Sequence, residues 1–296
     1  MLGNLRNTSP VPPALKVNPS DRDATGAADL ETPEEDDDAL YELPPMVVFQ
    51  EVDPGYYHNS SGRWRKTATP PELHVYKTIQ HQRILRYYGT TRGGELELEF
   101  HPTGDLWTYL AEARPSLATR IEWAVQIAEG LAELHSHSII WADPHFRNIL
   151  VTADLNIVLC DFAFSLSSPP QFLQFSTRPP QIFVAPFGFF GYDPTYVDIF
   201  GYGVMLFALL ANRFPWTHDL VPCYELHLAA TEKHDRFEFD SLNNTELEAH
   251  FSSVINKCFL ATYATGMELL DGVKNARDNW LRVSALVLCQ LNLTFQ

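Results

Sequence analysis

A domain of the α+β class, with a small β-rich part followed by a larger helical part, is predicted by three changes of hydrophobic period along the chain. Polar and apolar residues alternate strictly over 95–100, which is the period of a half-buried strand. Apolar residues recur at helical spacing over 119–137, and 197–212 is apolar all round, as a buried helix requires. Two short apolar runs, 149–151 and 157–159, lie between these helices and predict a small hairpin.

The first 45 residues differ in composition from the rest. They hold ten acidic residues against three basic ones, a net charge of −7 out of −16 for the whole chain. Such a segment buries too little apolar area to offset the entropy of ordering it, so 1–45 is predicted to be a disordered acidic leader. A plain solvated leader is favoured over a regulatory or docking tail.

Charge and hydropathy argue against several classes of partner. A net charge of −16 is unfavourable for binding nucleic acid or an anionic membrane surface, both of which attract clustered Lys and Arg. No apolar stretch approaches the roughly 20 residues that span a bilayer. The four cysteines show no CxxC spacing and lie in apolar surroundings, so we expect reduced thiols and an intracellular protein of the cytoplasm or nucleus.

The β-rich part is predicted to begin at residue 46. The apolar run 46–49 indicates a buried strand, and the polar segment 58–71 indicates a loop. A short amphipathic helix is predicted over 72–79, where apolar residues have helical spacing. Residues 84–89 and 95–100 then predict a hairpin with one buried face and one acidic face.

The segments flanking the small hairpin contain the pattern that bears most directly on function. Asp143 precedes Asn148 by five residues, immediately before the first short strand. Asp161 follows the second short strand, in the sequence Cys-Asp-Phe-Ala. These two segments resemble the catalytic loop and the metal-binding DFG element of protein kinases.

Other motifs follow in the order of that family. The sequence Val-Ala-Pro-Phe at 184–187 resembles a degenerate APE motif, and the helix that contains Asp198 resembles the family's central helix. Residues 72–79 resemble helix C, with Glu72 in the place of the glutamate that pairs with the ATP-binding lysine. The order of six motifs over about 46–276 identifies the chain as a relative of divergent Ser/Thr protein kinases, similar to lineages expanded in filamentous fungi.

The resemblance implies a bilobal protein-kinase-like fold. Its N-lobe would be small, degenerate and β-rich (46–100), followed by a hinge (101–105) and a helical C-lobe (106–280). A C-terminal tail is expected over 281–296. Retention of Asp198, which in the family receives catalytic-loop amides, implies that the loop geometry is maintained.

The resemblance also implies ATP and Mg²⁺ as cofactors. Asp143 would orient the substrate hydroxyl, Asn148 and Asp161 would hold Mg²⁺, and His145 stands where Ser/Thr kinases carry a lysine over the γ-phosphate. The residues assigned to nucleotide binding are Asp161, Asn148, Glu72, Glu99 and His101. The alternative is that Asp143, Asn148 and Asp161 are inherited scaffold, with Asp161 capping a turn and Asn148 bracing the loop.

Several positions depart from the family pattern. No glycine-rich phosphate loop precedes the first predicted strand, and Gln50 stands where the ATP-binding lysine is expected. Lys66 is interpreted as a solvated loop lysine, which leaves Glu72 without a partner. Trp141-Ala142 replaces the usual His-Arg, so the arginine that would bind a phosphorylated activation loop is absent.

Three hypotheses follow from these residues. The first is an ATP-dependent kinase that phosphorylates Ser or Thr of a protein substrate, and the second is a pseudokinase that binds or scaffolds a protein partner without turnover. The third is a truncated product whose first strands are lost. Neither the substrate nor the oligomeric state is specified by the sequence.

Overall fold

The computed structural model describes residues 62–167, 183, 195–217, 236 and 238–294, with side chains up to 286. The chain divides into Met1–Gln50 and Glu51–Gln296, and every described residue belongs to the second unit. The predicted leader, the predicted strand 46–49 and the APE-like segment 184–187 lie outside the described residues.

The N-terminal part of the described chain is a three-stranded antiparallel sheet with one helix. Strands β1 (Arg63–Thr67), β2 (Tyr87–Thr90) and β3 (Glu95–Glu99) are arranged in the order β1-β3-β2, and helix α1 (Pro70–Thr78) follows β1. The hairpin predicted from the alternation at 95–100 is confirmed, with Leu96 and Leu98 fully buried.

Strand β1 corrects the prediction of a loop over 58–71. Its register pairs Trp64 with Leu98 and Lys66 with Leu96, so the Lys66 side chain lies on the buried face of the sheet. An inward lysine between two outward polar residues erases the alternation of polar and apolar residues that identifies a strand. The strand was missed for this reason.

Helix α1 begins two residues before its predicted start. Thr69 is the N-cap, and its side chain accepts a hydrogen bond from the amide of Glu72. The two prolines at the first helical positions lack N–H groups that would have no partner there. The helix therefore starts where its capping residue dictates, and it turns Glu72, Val75 and Tyr76 inward.

The C-terminal part is helical, and its described residues also form two small antiparallel strand pairs. Its elements are α2 (Leu106–Ala113), α3 (Leu117–Ser136), β4 (Ile139–Ile140), a 3₁₀ turn (Phe146–Asn148), β5 (Ile149–Val151), β6 (Ile157–Leu159), β7 (Leu166–Ser167), α4 (Thr195–Ala211), α5 (Thr245–Phe259) and α6 (Gly266–Thr294). The pairs are β4 with β7 and β5 with β6, both antiparallel. The hairpin predicted from the runs 149–151 and 157–159 is confirmed, and both strands have the predicted bounds.

Helix α4 forms the centre of this part, as its apolar sequence predicted. It packs against α3 and α5, and α6 packs against α3 and α5 in turn. The last helix was predicted over 265–276 but continues to Thr294. No helix in the described part of the chain is both long enough and sufficiently apolar to cross a bilayer.

Helix α4 approaches α5 closely at Gly203. A Cβ built on Gly203 would lie 2.6 Å from Cys258 Cβ and 3.1 Å from the Phe259 ring. The Cβ of Cys258 is attached rigidly to the backbone of α5, and Phe259 is a buried ring, so neither atom has room to move. The close approach therefore requires glycine.

We predict that Gly203→Ala lowers the free energy of unfolding by about 1–3 kcal/mol, because the added methyl overpacks the contact between α4 and α5. Urea unfolding followed by tryptophan fluorescence measures this change. Gly93→Ala is the matched control, since its added Cβ would lie at an ordinary 3.7 Å from Thr91 Oγ1. Equal stability of the two variants would contradict the packing argument.

Candidate functional site

The site is organised around the buried carboxylate of Asp198, in the first turn of α4. Its Oδ2 accepts a hydrogen bond from the amide of Trp141 at 2.8 Å, and its Oδ1 accepts one from the amide of Ala142 at 2.8 Å. His135 Nε2 lies 2.9 Å from Oδ2. Asp198 thus holds the segment before Asp143 in place, as its retention in the sequence implied.

The loop that follows brings Asp143 and Asn148 together. Asn148 Nδ2 donates to Asp143 Oδ2 at 2.9 Å and to the Asp143 carbonyl at 3.1 Å. Asn148 also accepts the amide of Cys160 at its own carbonyl, at 2.9 Å, which extends the β5–β6 ladder by one residue. Asp161 directly follows Cys160. The hairpin therefore places Asp143, Asn148 and Asp161 at one end of its ladder.

Asp161 connects this loop to the N-terminal sheet through Lys66. Lys66 Nζ lies 2.7 Å from Asp161 Oδ1 and 3.1 Å from Glu72 Oε1. The lysine was interpreted as solvated, but its side chain is only 23% exposed and Glu72 is fully buried. Both the interpretation of Lys66 as a solvated lysine and the expectation that Glu72 lacks a partner are wrong. Gln50 lies outside the described residues.

The environment of the cluster shifts the pKa values of Lys66 and Glu72. Burial alone would lower the pKa of Lys66, but attraction to Asp161 and Glu72 outweighs it and raises that pKa. Burial raises the pKa of Glu72, which the positive charge of Lys66 only partly opposes. Lys66 is therefore held as a cation between two carboxylates.

His145 lies beside Asp143 in the same loop. Its Nε2 is 3.4 Å from Asp143 Oδ2, and its Nδ1 accepts a hydrogen bond from the amide of Arg147 at 3.2 Å. The residue is buried, and its imidazole lies near the ring of Phe183. His145 thus lies next to the carboxylate of Asp143.

A column of aromatic rings connects the two parts of the molecule. Tyr87 stacks on Tyr76, Tyr76 meets Phe162 edge-on at 5.3 Å between ring centroids, and Phe162 lies 6.5 Å from Trp141. Trp141 Nε1 also donates to the carbonyl of Cys160 at 3.1 Å. The sequence showed Trp141 only as the loss of a histidine, whereas the structure shows a packing role for it.

Glu99 and His101 lie elsewhere, where β3 leads into α2. His101 Nε2 is 3.7 Å from Glu99 Oε2, and burial lowers the pKa of His101, so its imidazole is neutral near pH 7. The carbonyl of His101 accepts the amide of Gly104 at 3.1 Å. The amide of Glu99 donates to the carbonyl of Arg86 at 2.9 Å. In the described part of the chain, neither Glu99 nor His101 pairs with Lys66, whose partners are Glu72 and Asp161.

Two side-chain oxygens of the cluster are suited to Mg²⁺ bound together with a nucleotide. Lys66 engages Oδ1 of Asp161, and the Nδ2 group of Asn148 is turned to Asp143, so Asp161 Oδ2 and Asn148 Oδ1 are the atoms that would hold a Mg²⁺ ion. Among the described residues no group of three or more His, Cys, Asp or Glu could hold a metal. Two protein oxygens suit Mg²⁺, which usually takes its other ligands from water and phosphate.

Comparison with known families decides the assignment. The family model described as the protein kinase domain matches residues 57–264, which include Lys66, Glu72, Asp143, Asn148 and Asp161. The chain belongs to the protein kinase family. The predicted resemblance and the α+β kinase-like fold are confirmed by this match.

Known relatives of the kinase domain are protein kinases from animals and plants. The chain is 31% identical over 158 residues to the serine/threonine-protein kinase kin-29 of Caenorhabditis elegans, covering 51% of this chain and 19% of that protein. It is 31% identical over 139 residues to the mouse serine/threonine-protein kinase LMTK3, covering 42% of this chain and 9% of that protein.

A plant protein gives a match of similar quality. The leaf rust 10 disease-resistance locus receptor-like protein kinase-like 1.4 of Arabidopsis thaliana is 30% identical over 161 residues, covering 48% of this chain and 23% of that protein. The chain thus covers less than a quarter of the length of each of these three relatives.

We predict that Lys66→Met lowers the free energy of unfolding by about 3–5 kcal/mol near pH 7, because it leaves Glu72 buried without an opposing charge. The double variant Lys66→Met, Glu72→Gln recovers most of this loss. Arg65→Met is the control, since Arg65 pairs with Glu97 at a more exposed position and its loss costs no more than about 1 kcal/mol.

The loss in Lys66→Met depends on pH in a defined direction. Burial raises the folded-state pKa of Glu72 above its unfolded value, and removing Lys66 raises it further, so the folded state binds this proton more tightly. The destabilisation is therefore greatest above the folded pKa and shrinks as the pH falls through it. Urea unfolding at about pH 7 and about pH 5 tests this, and a larger loss at the lower pH would contradict it.

Proposed function

We propose that this kinase domain binds ATP with Mg²⁺ and transfers the γ-phosphoryl group to a Ser or Thr hydroxyl of a protein substrate. The observation that carries the proposal is the Lys66 cation held between Glu72 and Asp161, at the same end of the hairpin as Asp143 and Asn148. Phosphoryl transfer asks a protein mainly to position its reactants and to neutralise charge, and these residue types suit both tasks.

Each side chain has a distinct part in this proposal. Lys66 places a positive charge beside the phosphates, and Glu72 fixes its position. Asn148 and Asp161 supply oxygen ligands to Mg²⁺, which supplies charge neutralisation when it is bound with the nucleotide. Asp143 accepts a hydrogen bond from the substrate hydroxyl, and so orients the attacking oxygen.

Glu99 and His101 belong to the proposal as the place for the nucleotide base. Residues Gly62 and Phe100 pair at the end of the sheet, so the loop that contains His101 borders the same strands as Lys66. In the described part of the chain the amide of His101 donates to no backbone carbonyl. A free backbone donor beside apolar residues can bind the edge of a heterocyclic base.

A pseudokinase remains a second candidate because of the short contact between Lys66 and Asp161. At 2.7 Å this ion pair already satisfies one oxygen of the proposed metal ligand. In a protein without turnover the same network would join the two parts of the domain and leave a protein-binding surface. Either function places the protein inside the cell with a protein as substrate or partner, in agreement with the buried free thiols of Cys160 and Cys258.

We predict that Mg²⁺ with ATP raises the melting temperature of the parent protein and not that of Asp161→Ala. At a ligand concentration about 100 times Kd the stabilisation is about 2.7 kcal/mol, which corresponds to several degrees. Differential scanning fluorimetry measures the shift, and Asp271→Ala, an exposed position on α6, serves as the control. Absence of a shift in the parent would sink nucleotide binding.

We predict that Asp143→Asn lowers kcat for transfer to Ser and Thr peptides by about 10²–10⁴, since it removes the group that orients and accepts the hydroxyl proton. The thermal shift with Mg²⁺ and ATP is retained in this variant. Incorporation of labelled phosphate into a peptide library is the measurement. A parent that binds nucleotide but labels no peptide would favour the pseudokinase.

A further inference from the structure

The tautomer of the His145 ring is set by the place of His145 in the loop. His145 is the N-cap of the 3₁₀ turn Phe146–Asn148, and its Nδ1 accepts the amide hydrogen of Arg147. An imidazole nitrogen that accepts a hydrogen bond carries no hydrogen of its own. The neutral ring must therefore carry its hydrogen on Nε2.

Nε2 faces the carboxylate of Asp143. It lies 3.4 Å from Oδ2, the same oxygen that accepts Nδ2 of Asn148 at 2.9 Å. This separation is long for an N–H···O bond, but contacts in catalytic sites often shorten when substrate binds. Both side chains are nearly buried, with 11% and 13% exposed for His145 and Asp143.

The other oxygen of Asp143 is left open. In the described part of the chain Oδ1 accepts no hydrogen bond, whereas Asn148 Nδ2 and His145 Nε2 both face Oδ2. The backbone of the loop is held by Asp198, and the ring of His145 is confined by Phe183 at 6.2 Å between ring centroids. Two donors on one side of a fixed carboxylate direct its remaining oxygen away from them.

We propose that His145 is a positioning residue that donates its Nε2 hydrogen to Asp143 Oδ2 and thereby turns Oδ1 toward the substrate hydroxyl. This inference rests on the proposed function. It assigns His145 a role different from that of the lysine it replaces, because here the side chain orients a carboxylate and does not contact the phosphates.

The same geometry excludes His145 as the base. Its Nε2 already carries a hydrogen and its Nδ1 is occupied by the amide of Arg147, so it has no site for a further proton. During transfer the hydroxyl proton passes to Asp143 Oδ1 as the substrate oxygen bonds to the γ-phosphorus. The bond from that phosphorus to the leaving ADP oxygen breaks, and ADP keeps the electron pair. Asp143 then releases the proton to solvent.

Two substitutions separate the possible roles of His145. In His145→Gln the side-chain Nε2 reaches the position of the imidazole Nε2, so the donor to Asp143 is kept and the cap on Arg147 is lost. In His145→Asn the shorter side chain can cap Arg147 but does not reach Asp143. We expect kcat within about threefold of the parent for the first and lowered about 10- to 100-fold for the second, with an unchanged KM for ATP.

Other results would overturn the proposal. A purely structural cap predicts the reverse order, with His145→Asn active and His145→Gln impaired. A phosphate clamp predicts that His145→Lys matches or exceeds the parent and lowers the KM for ATP. We expect no such gain from the lysine variant.

A measurement without turnover tests the tautomer directly. Long-range ¹H–¹⁵N correlation of histidine-labelled protein distinguishes the two ring nitrogens, and the signals missing from His145→Gln assign the residue. We expect a protonated Nε2 whose hydrogen exchanges slowly in the parent and rapidly in Asp143→Ala. A protonated Nδ1, or exchange unaffected by Asp143→Ala, refutes the proposal. Absence of turnover in the parent would instead refute the proposed function, so the two failures are distinguishable.

Discussion

Much of the structure depends on one buried carboxylate, that of Asp198. Its two oxygens accept the amides of Trp141 and Ala142, and they do so where no water can replace them. Ala142 has φ = +66°, a left-handed conformation that costs a residue with a Cβ about 1–2 kcal/mol. The hydrogen bonds to Asp198 offset this cost. The left-handed turn at Ala142 leads the chain to the position where Asp143 meets Asn148.

Asp198 is also connected to the aromatic column, because its hydrogen-bond partner Trp141 is the last ring of that column. Trp141 meets Phe162, and Phe162 meets Tyr76 of α1. Helix α1 also carries Glu72, which orients Lys66. A polar network and an apolar column thus connect the same elements by separate routes, and each restricts the position of α1 relative to the hairpin.

The sequence predicted those parts of the site whose signal is local. Asp143, Asn148 and Asp161 are separated by fixed spacings within one hairpin, and both strands of that hairpin are apolar runs, so the pattern survives without any long-range information. The buried position of Lys66 was not predicted, because it depends on the pairing of Lys66 with Leu96, thirty residues later, and on its ion pair with Asp161. The residues next to Lys66 in the sequence are polar. The alternation of polar and apolar residues that indicates a strand is lost where an inward-facing residue is charged. The tautomer of His145 likewise depends on an amide that only the folded loop presents.

Helix α6 carries buried core residues beyond the end of the family match. The family match stops at residue 264, yet Leu269 and Val273 beyond it are completely shielded from solvent and pack in the layer formed by α3 and α5. A fragment trimmed to the matched boundary would uncover the flank of α3, the helix that supports the hairpin through Gln126 and Ile157. The buried core therefore extends beyond the region of family likeness, and a boundary drawn at residue 264 would expose part of it.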